Sequence, residues 1–534
     1  MSRFLTILEV SQKQAYIFSS NKLKDNIRCS SEIAYITGID YMQEALDARK
    51  DTEQSISLAE HLVYSGGGHI IFEFAGKEDA DAVVECITVR ILEDLPDIEM
   101  FAATVPYDDA KTPGENIKDL TKALESKKSF RAASFHQGSF GIEKIDSNTG
   151  KPVLKNKTGL NMSDDDYRAP DGFIPAKEFE DMGGEKGENS FIAVVHIDGN
   201  AMGKRVEEIA ASCKVGEWDE YKRKMRSFSE GIKTDFDAAY REMEKQIAAA
   251  VVESYWLNFG KLTGVSFKRR GNNIIFPVRK IISEGDDICF VSEGRIGIAC
   301  AVAFLNALRE QINQEDEKPY AACAGVAIVH QKYPFYRAYE LAEELCSNAK
   351  RFGVTLGTKA QVAGKEQGVE IGAQASCIDW HVEFGEVQDT LEETRTQYEN
   401  RDGARLELRP YMVSGPEELV EKEPIRQYKN FEKLIAQLLW SEDNYSSGSL
   451  KQLRGVLKKG SEATDEYLKF HKMESLRRDV YLNIYKEINY AGALTGKAQE
   501  GKLFETTVDG KCRSLIFDAI EMMDTYLPLE EVVQ

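Results

Sequence analysis

The chain has 534 residues, and its 42% hydrophobic and 29% charged residues are a globular balance that excludes disorder throughout. The 89 acidic residues outnumber the 68 basic ones, so the net charge of −21 argues against nucleic-acid binding without a local basic groove or a basic partner. No apolar stretch reaches the roughly 20 residues of a membrane span, and the nine scattered cysteines include no Cys-x-x-Cys pair, so we expect no zinc ribbon and a reducing, cytoplasmic location.

The first predicted unit begins with an apolar strand at residues 4–10. A second apolar stretch, 62–74, is interrupted by the tight turn Ser65-Gly66-Gly67-Gly68-His69. A helical segment over about 77–95 and an apolar strand at 100–105 complete the unit. This order of elements predicts a sheet with helices on one face.

The second unit repeats that order. It has a strand at 191–198, two strands within 281–291, a helix at 296–312 and a buried strand at 321–329. Aligning Ser65 with Ser283 places Gly68 opposite Asp286 and His69 opposite Asp287. Any chain of mixed helices and strands can show such runs, but a Ser-x-Gly turn in the same slot of both units favours a true repeat.

These patterns predict an α+β chain with two ferredoxin-like units and a C-terminal helical bundle. The predicted regions are 1–138 for the first unit, 139–190 for a polar hairpin and linker, 191–395 for the second unit with a mostly helical insertion at 206–262, and 396–534 for the bundle.

Three aspartates are the strongest candidates for chemistry. Asp198 ends a predicted strand, and Asp286 and Asp287 lie in the turn between two others, so their side chains can converge. Carboxylates held together repel each other unless a cation offsets their charge, and oxygen ligands suit Mg²⁺ or Mn²⁺. The alternative is a solvated Asp-Asp turn beside an unrelated strand end.

The segment after Asp198 suits a triphosphate. Gly199, Asn200 and Gly203 allow backbone N–H groups to approach phosphates, and the helix that follows adds its positive end. Lys350 closes an amphipathic helix at 338–350, where it either reaches the phosphates or is a surface lysine at a helix C-terminus.

The equivalent turn of the first unit has no carboxylate. Ser65, Gly66 and Gly67 nevertheless permit a ligand to approach the backbone closely. We therefore expect one catalytic and one non-catalytic unit, with a second nucleotide against the glycine turn. The alternative is a tight hairpin that binds no ligand.

At these residues the sequence resembles the polymerase-like large subunit of type III CRISPR effector complexes, the Cas-ten family. The second-unit turn resembles the Gly-Gly-Asp-Asp signature of that family. The segments that carry the resemblance are Ser11–Ser31, Tyr64–Gly68, His196–Gly203, Ser283–Asp287, Gly325–Pro334, Ala338–Lys350 and Arg409–Tyr411.

The resemblance implies two palm domains and an enzyme that joins ATP into cyclic oligoadenylate messengers in antiviral defence, with Mg²⁺ or Mn²⁺. The implied metal ligands are Asp198, Asp286 and Asp287, and the implied triphosphate contacts are Gly199, Asn200, Gly203 and Lys350. Guide RNA and small protein subunits are the implied partners, and whether the chain forms a homodimer stays open.

The sequence departs from the family pattern in several respects. It has no His-Asp dipeptide, no N-terminal nuclease domain and no cysteine-rich zinc element, so we expect a compact form without DNA cleavage. Glu284 replaces the first glycine of the signature, and Asn200 stands where many members carry Asp.

Two other functions stay open. Glu284 favours an architectural large subunit of an RNA-guided complex with weak or no catalysis, since it adds a bulky charge at the turn. The palm kinship also allows an enzyme similar to diguanylate cyclases that uses GTP.

Overall fold

The computed structural model describes residues 3–48, 56–129, 142, 169–182, 190–252, 268–359, 365–383, 390–440, 445–485 and 501–529. The architecture is mixed α+β, as predicted. Most of the predicted linker at 139–190, and residues 253–262 of the predicted insertion, lie outside the described residues.

The bounds of the elements follow in chain order. The strands are β1 (Phe4–Ser11), β2 (Leu62–Gly66), β3 (His69–Phe74), β4 (Glu99–Pro106), β5 (Phe173–Ile174), β6 (Phe191–Gly199), β7 (Arg269–Arg270), β8 (Asn273–Ile275), β9 (Val278–Glu284), β10 (Asp287–Glu293), β11 (Ala322–His330), β12 (Ser376–Val382), β13 (Tyr411–Ser414), β14 (Phe504–Thr506) and β15 (Cys512–Ser514). The α-helices are α1 (Lys13–Ile17), α2 (Leu23–Ile36), α3 (Ile39–Asp47), α4 (Leu58–His61), α5 (Lys77–Asp94), α6 (Pro113–Ser129), α7 (Met202–Ala211), α8 (Trp218–Val252), α9 (Gly297–Arg309), α10 (Phe335–Lys359), α11 (Lys365–Ala373), α12 (Leu391–Thr396), α13 (Glu417–Lys422), α14 (Tyr428–Trp440), α15 (Ser447–Leu457), α16 (Ser461–Phe470), α17 (Leu476–Tyr485) and α18 (Phe517–Met522).

Two sheets repeat one strand order. The first is an antiparallel sheet in the order β2-β3-β1-β4, and the second contains β9-β10-β6-β11 in the same relative positions. The second sheet continues past β11 with β12, which is parallel to β11, and then β13. The repeat predicted from the sequence is therefore present in the strand order of the two sheets.

Helices cover both faces of the second sheet, so the expectation of helices on one face was wrong. Ala193, Val195 and Ile197 of β6 pack with helices α8 and α9 on one face. Ile192 and Val194 pack with α10 on the other face. The reason lies in the sequence of β6 and β11, which are apolar on both sides and must be covered on both.

Helix α10 lies unusually close to strand β11, and Gly325 makes this possible. A Cβ atom at residue 325 would overlap the carbonyl oxygen of Ala342 and the backbone nitrogen of Cys346, both in α10. The side-chain hydrogen of glycine therefore sets the distance between this helix and the sheet.

Strand β13 and the last helix are joined by a buried ion network. Arg409, whose side chain is fully buried, contacts Asp518 and Glu521 of α18 at 2.7 Å each. Asp518 also accepts hydrogen bonds from the backbone of Arg409 and from the Tyr411 hydroxyl. The C-terminal helices are therefore attached to the edge of the second sheet through paired charges.

Two further findings concern the hydrophobicity of the helices and the cysteines. Within the described residues, no helix combines the length and hydrophobicity that crossing a bilayer requires. The cysteines are free thiols, and those other than Cys512 are buried.

We predict that Gly325→Ala lowers the free energy of unfolding by about 3 kcal/mol or more, because the backbone of α10 cannot yield to the added methyl group. Gly455→Ala is the matched control, since no atom lies within 4 Å of the added Cβ in helix α15. The control should raise stability by about 0.5–1 kcal/mol. Urea denaturation measures both, and equal effects would contradict the close packing of α10.

Candidate active site

Two hairpin turns occupy equivalent places in the two sheets. Gly66 pairs with His69 across the first turn, and Glu284 pairs with Asp287 across the second. We call residues 66–69 the glycine turn and residues 284–287 the acid turn. The register confirms the alignment made from the sequence, in which Gly68 corresponds to Asp286.

The acid turn brings the predicted aspartates together. Asp287 is directly opposite Asp198 on the neighbouring strand β6, and the backbone N–H of Gly199 donates to the carbonyl of Asp286. Like charges directly opposite on one face of a sheet destabilise it. Burial, and then the charge of Asp198, raises the pKa of Asp286 to about 6, and the same causes raise the pKa of Asp287 well above its ordinary value.

Lys350 offsets part of this negative charge. Its ammonium group donates to Asp198 at 2.6 Å and to the carbonyl of Gly199 at 2.9 Å. Although burial opposes its charge, the neighbouring Asp198 raises the pKa of Lys350 above the ordinary value. The predicted amphipathic helix therefore does direct this lysine into the site, but it continues to Lys359, so Lys350 lies within the helix and not at its end as predicted.

His196 is a site residue to which the sequence analysis assigned no role. Its Nδ1 atom lies 3.3 Å from Oδ1 of Asp287, and both atoms are buried without a hydrogen-bond partner. Burial lowers the pKa of His196 to about 4, so the ring is neutral at neutral pH. The period-2 alternation of β6, which puts His196 on the same face as Asp198, is the signal that could have identified it.

The segment after Asp198 is only partly arranged as predicted. A Cβ atom on Gly199 would lie 3.0 Å from Oδ2 of Asp286, so the absence of a side chain at residue 199 leaves room for the aspartate. A Cβ atom on Gly203 would have no atom within 4 Å. The side chain of Asn200 donates to the carbonyl of Ala375 at 2.9 Å, and its Oδ1 atom is buried without a partner. Asn200 thus ties the loop to the start of β12.

The glycine turn lies next to the acid turn. Lys13, at the start of α1, donates to the carbonyl of Gly67 at 2.5 Å and to Glu284 at 3.1 Å. Ser229 of helix α8 donates to the carbonyl of Ser65 at 2.9 Å, and its Oγ atom would lie 2.8 Å from a Cβ atom on Gly66. Lys13 therefore links the two turns, each of which is a predicted nucleotide site.

The first unit contains a counterpart of the Lys350–Asp198 pair that sequence reasoning missed. Glu9 is opposite His69, as Asp198 is opposite Asp287, and Lys128 of α6 donates to Glu9 at 2.9 Å. Lys128 and Lys350 stand equally far in the sequence from the first residues of their helices, α6 and α10. That equal spacing is the signal that was available.

The acid turn supplies carboxylate oxygens, the type of ligand that a hard divalent cation prefers. Oδ1 of Asp287 is a buried acceptor without a hydrogen-bond partner, and the four carboxylates of Asp198, Glu284, Asp286 and Asp287 stand against two lysines, Lys350 and Lys13. Among the described residues, no three His, Cys, Asp or Glu side chains already stand in a metal-coordinating arrangement. The ammonium group of Lys350 already forms an ion pair with the Oδ2 atom of Asp198.

The comparison with protein families identifies the domain that carries this site. Residues 191–355 match the family model described as Cas10/Cmr2, second palm domain. The chain therefore contains a Cas10/Cmr2 second palm domain, and the resemblance drawn from the sequence is confirmed. No curated protein sequence matches the chain.

Solved structures share the fold over nearly the whole chain. A Csm1–Csm4 cassette in complex with pppApApA matches with a TM-score of 0.50 and 13% identity, covering 98% of this chain and 69% of that chain. The same cassette in complex with cA3 gives a TM-score of 0.50 and 13% identity, with 98% and 70% covered. Csm1 in T. onnurineus has a TM-score of 0.45 and 14% identity, with 98% and 70% covered.

We predict that Asp287→Asn raises the free energy of unfolding by about 1 kcal/mol at pH 8 in EDTA. The folded state raises the pKa of this carboxyl group, so ionisation at pH 8 costs stability that a neutral amide does not. Added Mg²⁺ should then stabilise the wild type more than the variant. Urea denaturation with and without Mg²⁺ measures both effects.

The matched control for this prediction is Asp379→Asn. Asp379 is equally an aspartate on the second sheet, but it is fully buried and paired with Arg395 at 2.7 Å. Its neutralisation leaves a buried cation without its partner and should cost about 3 kcal/mol. A loss of stability in Asp287→Asn similar to that of the control would contradict the repulsion between Asp287 and Asp198.

Proposed function

We propose that the protein is a metal-dependent nucleotidyltransferase that joins ATP into a cyclic oligoadenylate messenger in antiviral defence. The observation that carries this proposal is the register that places Asp287 opposite Asp198, with Lys350 beside them, in a Cas10/Cmr2 second palm domain. The ligands of the solved Csm1–Csm4 cassettes, pppApApA and cA3, are a linear and a cyclic adenylate and support the choice of ATP.

Each part of the site has a role in this proposal. Asp198, Asp286 and Asp287 would hold Mg²⁺ or Mn²⁺, which supplies charge neutralisation for the leaving pyrophosphate and activates the attacking hydroxyl. The backbone of residues 199–203 and the start of α7 line the triphosphate. Lys350 adds a point charge beside it.

The reaction follows from this arrangement. The 3′-oxygen of one nucleotide bonds to the α-phosphorus of another, the bond from that phosphorus to the bridging oxygen breaks, and pyrophosphate leaves. Positioning of the two nucleotides and stabilisation of the developing charge provide most of the acceleration. Neutral His196 lies 3.3 Å from the carboxylate of Asp287 without a hydrogen bond to it.

The second nucleotide belongs to the first unit in this proposal. We assign it to the glycine turn with Ser65, Gly66 and Gly67, where the repeated Glu9–Lys128 pair supports a common origin of the two sites. Residues 1–138 are then a non-catalytic palm and 191–395 the catalytic palm. We assign residues 396–534, whose described part contains helices α13–α18 together with strands β13–β15, to the docking of small subunits, in keeping with the Csm1–Csm4 cassettes that share the fold.

The direct test incubates the purified protein with each labelled nucleoside triphosphate and Mg²⁺ or Mn²⁺, and separates the products. We expect adenylate products from ATP, and a loss of at least about 100-fold in rate when Asp286 and Asp287 are both replaced by alanine. GTP as the preferred substrate would instead support an enzyme similar to diguanylate cyclases.

The matched control replaces another adjacent pair, Asp108 and Asp109, by alanine; both are exposed and far in sequence from the acid turn. The control should keep wild-type activity. Absence of product from both the isolated chain and the assembly purified from its native cells would contradict the proposed activity.

One observation favours a second candidate, an architectural subunit of an RNA-guided complex. Glu284 and Asp198 are each engaged by a lysine, Lys13 and Lys350, which leaves less negative charge for a metal ion. Co-purification with a short RNA and several small subunits, together with no turnover, would support this function. A clean monomer or dimer without RNA would contradict it.

A further inference from the structure

A cation lies against the glycine turn, which has no carboxylate of its own. Gly68 is the counterpart of Asp286, and a Cβ atom on Gly68 would lie 2.7 Å from Nζ and 2.8 Å from Cδ of Lys13. The side chain of Lys13 therefore fills the space in which a side chain at residue 68 would begin.

Lys13 is held firmly in this place. Its ammonium group donates to the carbonyl of Gly67 at 2.5 Å and to Glu284 at 3.1 Å, and its side chain is 28% exposed. The end of the same helix is fixed by Phe18, whose ring lies 4.1 Å from that of Tyr339 on α10. An ammonium group has three donor hydrogens, so these two bonds leave one for a ligand.

The partner of Lys13 explains the departure of the acid turn from the family signature. Glu284 stands where the signature has glycine, its side chain is only 13% exposed, and its Oε1 atom is buried without a hydrogen-bond partner. A further carboxylate beside Asp286 and Asp287 would add to their repulsion if it were unpaired. Paired with Lys13, it instead fixes a positive charge across the two turns.

We propose that Lys13, positioned by Glu284, binds the phosphates of a nucleoside triphosphate at the glycine turn. This proposal rests on the proposed function, in which a second nucleotide occupies the first unit. An ammonium group is a compact point charge that forms strong hydrogen bonds to phosphate oxygens. The glycine turn has no carboxylate, so Lys13 takes the role there that a metal ion takes at the acid turn.

The test measures binding and does not depend on turnover. Titration with α,β-methylene ATP, whose reacting bond cannot break, is followed by calorimetry in EDTA and again in Mg²⁺. The wild type should bind one equivalent in EDTA and two in Mg²⁺. Lys13→Met should weaken the EDTA-resistant site at least about tenfold, and Lys13→Arg should restore much of the affinity.

Three further variants separate this role from others. Asp286→Asn combined with Asp287→Asn should abolish the Mg²⁺-dependent site and leave the EDTA-resistant one within twofold. Glu284→Gln should weaken the EDTA-resistant site less than Lys13→Met does, because the lysine remains but loses its tether. Lys24→Met, at an exposed lysine 3.9 Å from Glu178, is the matched control and should bind as the wild type.

Several results would overturn the proposal. The proposal is wrong if the protein does not bind the ATP analogue in EDTA, or if Lys13→Met binds it as tightly as the wild type. It is also wrong if Glu284→Gln binds the analogue more tightly, which would mean that Glu284 withholds the lysine from the ligand. Thermal unfolding of each variant identifies loss of fold, and Lys13→Arg and Glu284→Gln keep the test decisive if Lys13→Met unfolds. Binding that depends on Lys13 in a protein without synthase activity would uphold this site while the proposed reaction fails.

Discussion

The arrangement of the second unit depends on one electrostatic constraint, the placement of two aspartates opposite each other on adjacent strands. The register of β6 and β10 sets Asp198 against Asp287, and the turn adds Asp286 beside them. Lys350 can approach only because α10 lies against β11 at the distance that Gly325 allows. Backbone packing thus determines how much of the negative charge the protein itself can offset, and how much remains for a cation.

The two units share one strand order but carry different charges at their hairpin turns. Each has a carboxylate near the end of its first strand, and a lysine from the helix after its fourth strand contacts that carboxylate. The hairpin turns differ in charge, since Gly66, Gly68 and His69 stand where the second unit has Glu284, Asp286 and Asp287. The glycine turn therefore lacks the repulsion that a metal ion would relieve, and the side chain of Lys13 lies against it.

Strand order, the two turns and the three aspartates could be predicted because each depends on local patterns, such as apolar runs and a repeated Ser-x-Gly slot. Helices on both faces, the Glu9–Lys128 pair and the position of Lys13 were not predicted. Lys13 and Glu284 are far apart in the sequence, and their contact arises only when one unit packs on the other. In the sequence, Glu284 stands out only as a departure from the family signature. The structure shows that it pairs with Lys13.

Contacts between the units hold the two turns near each other. Helix α8 of the second unit donates to the first hairpin through Arg226 and Ser229, while Phe18 of the first unit packs on Tyr339 of α10. Tyr339 in turn lies 5.5 Å from the His196 ring, next to Asp287. A phosphate that accepts the third donor hydrogen of Lys13 would add its negative charge beside Glu284 and the acid turn, where it would strengthen the attraction for a divalent cation. Occupation of the first unit would therefore favour metal binding in the second, which gives the proposed reaction a physical reason to begin only when both nucleotides are present.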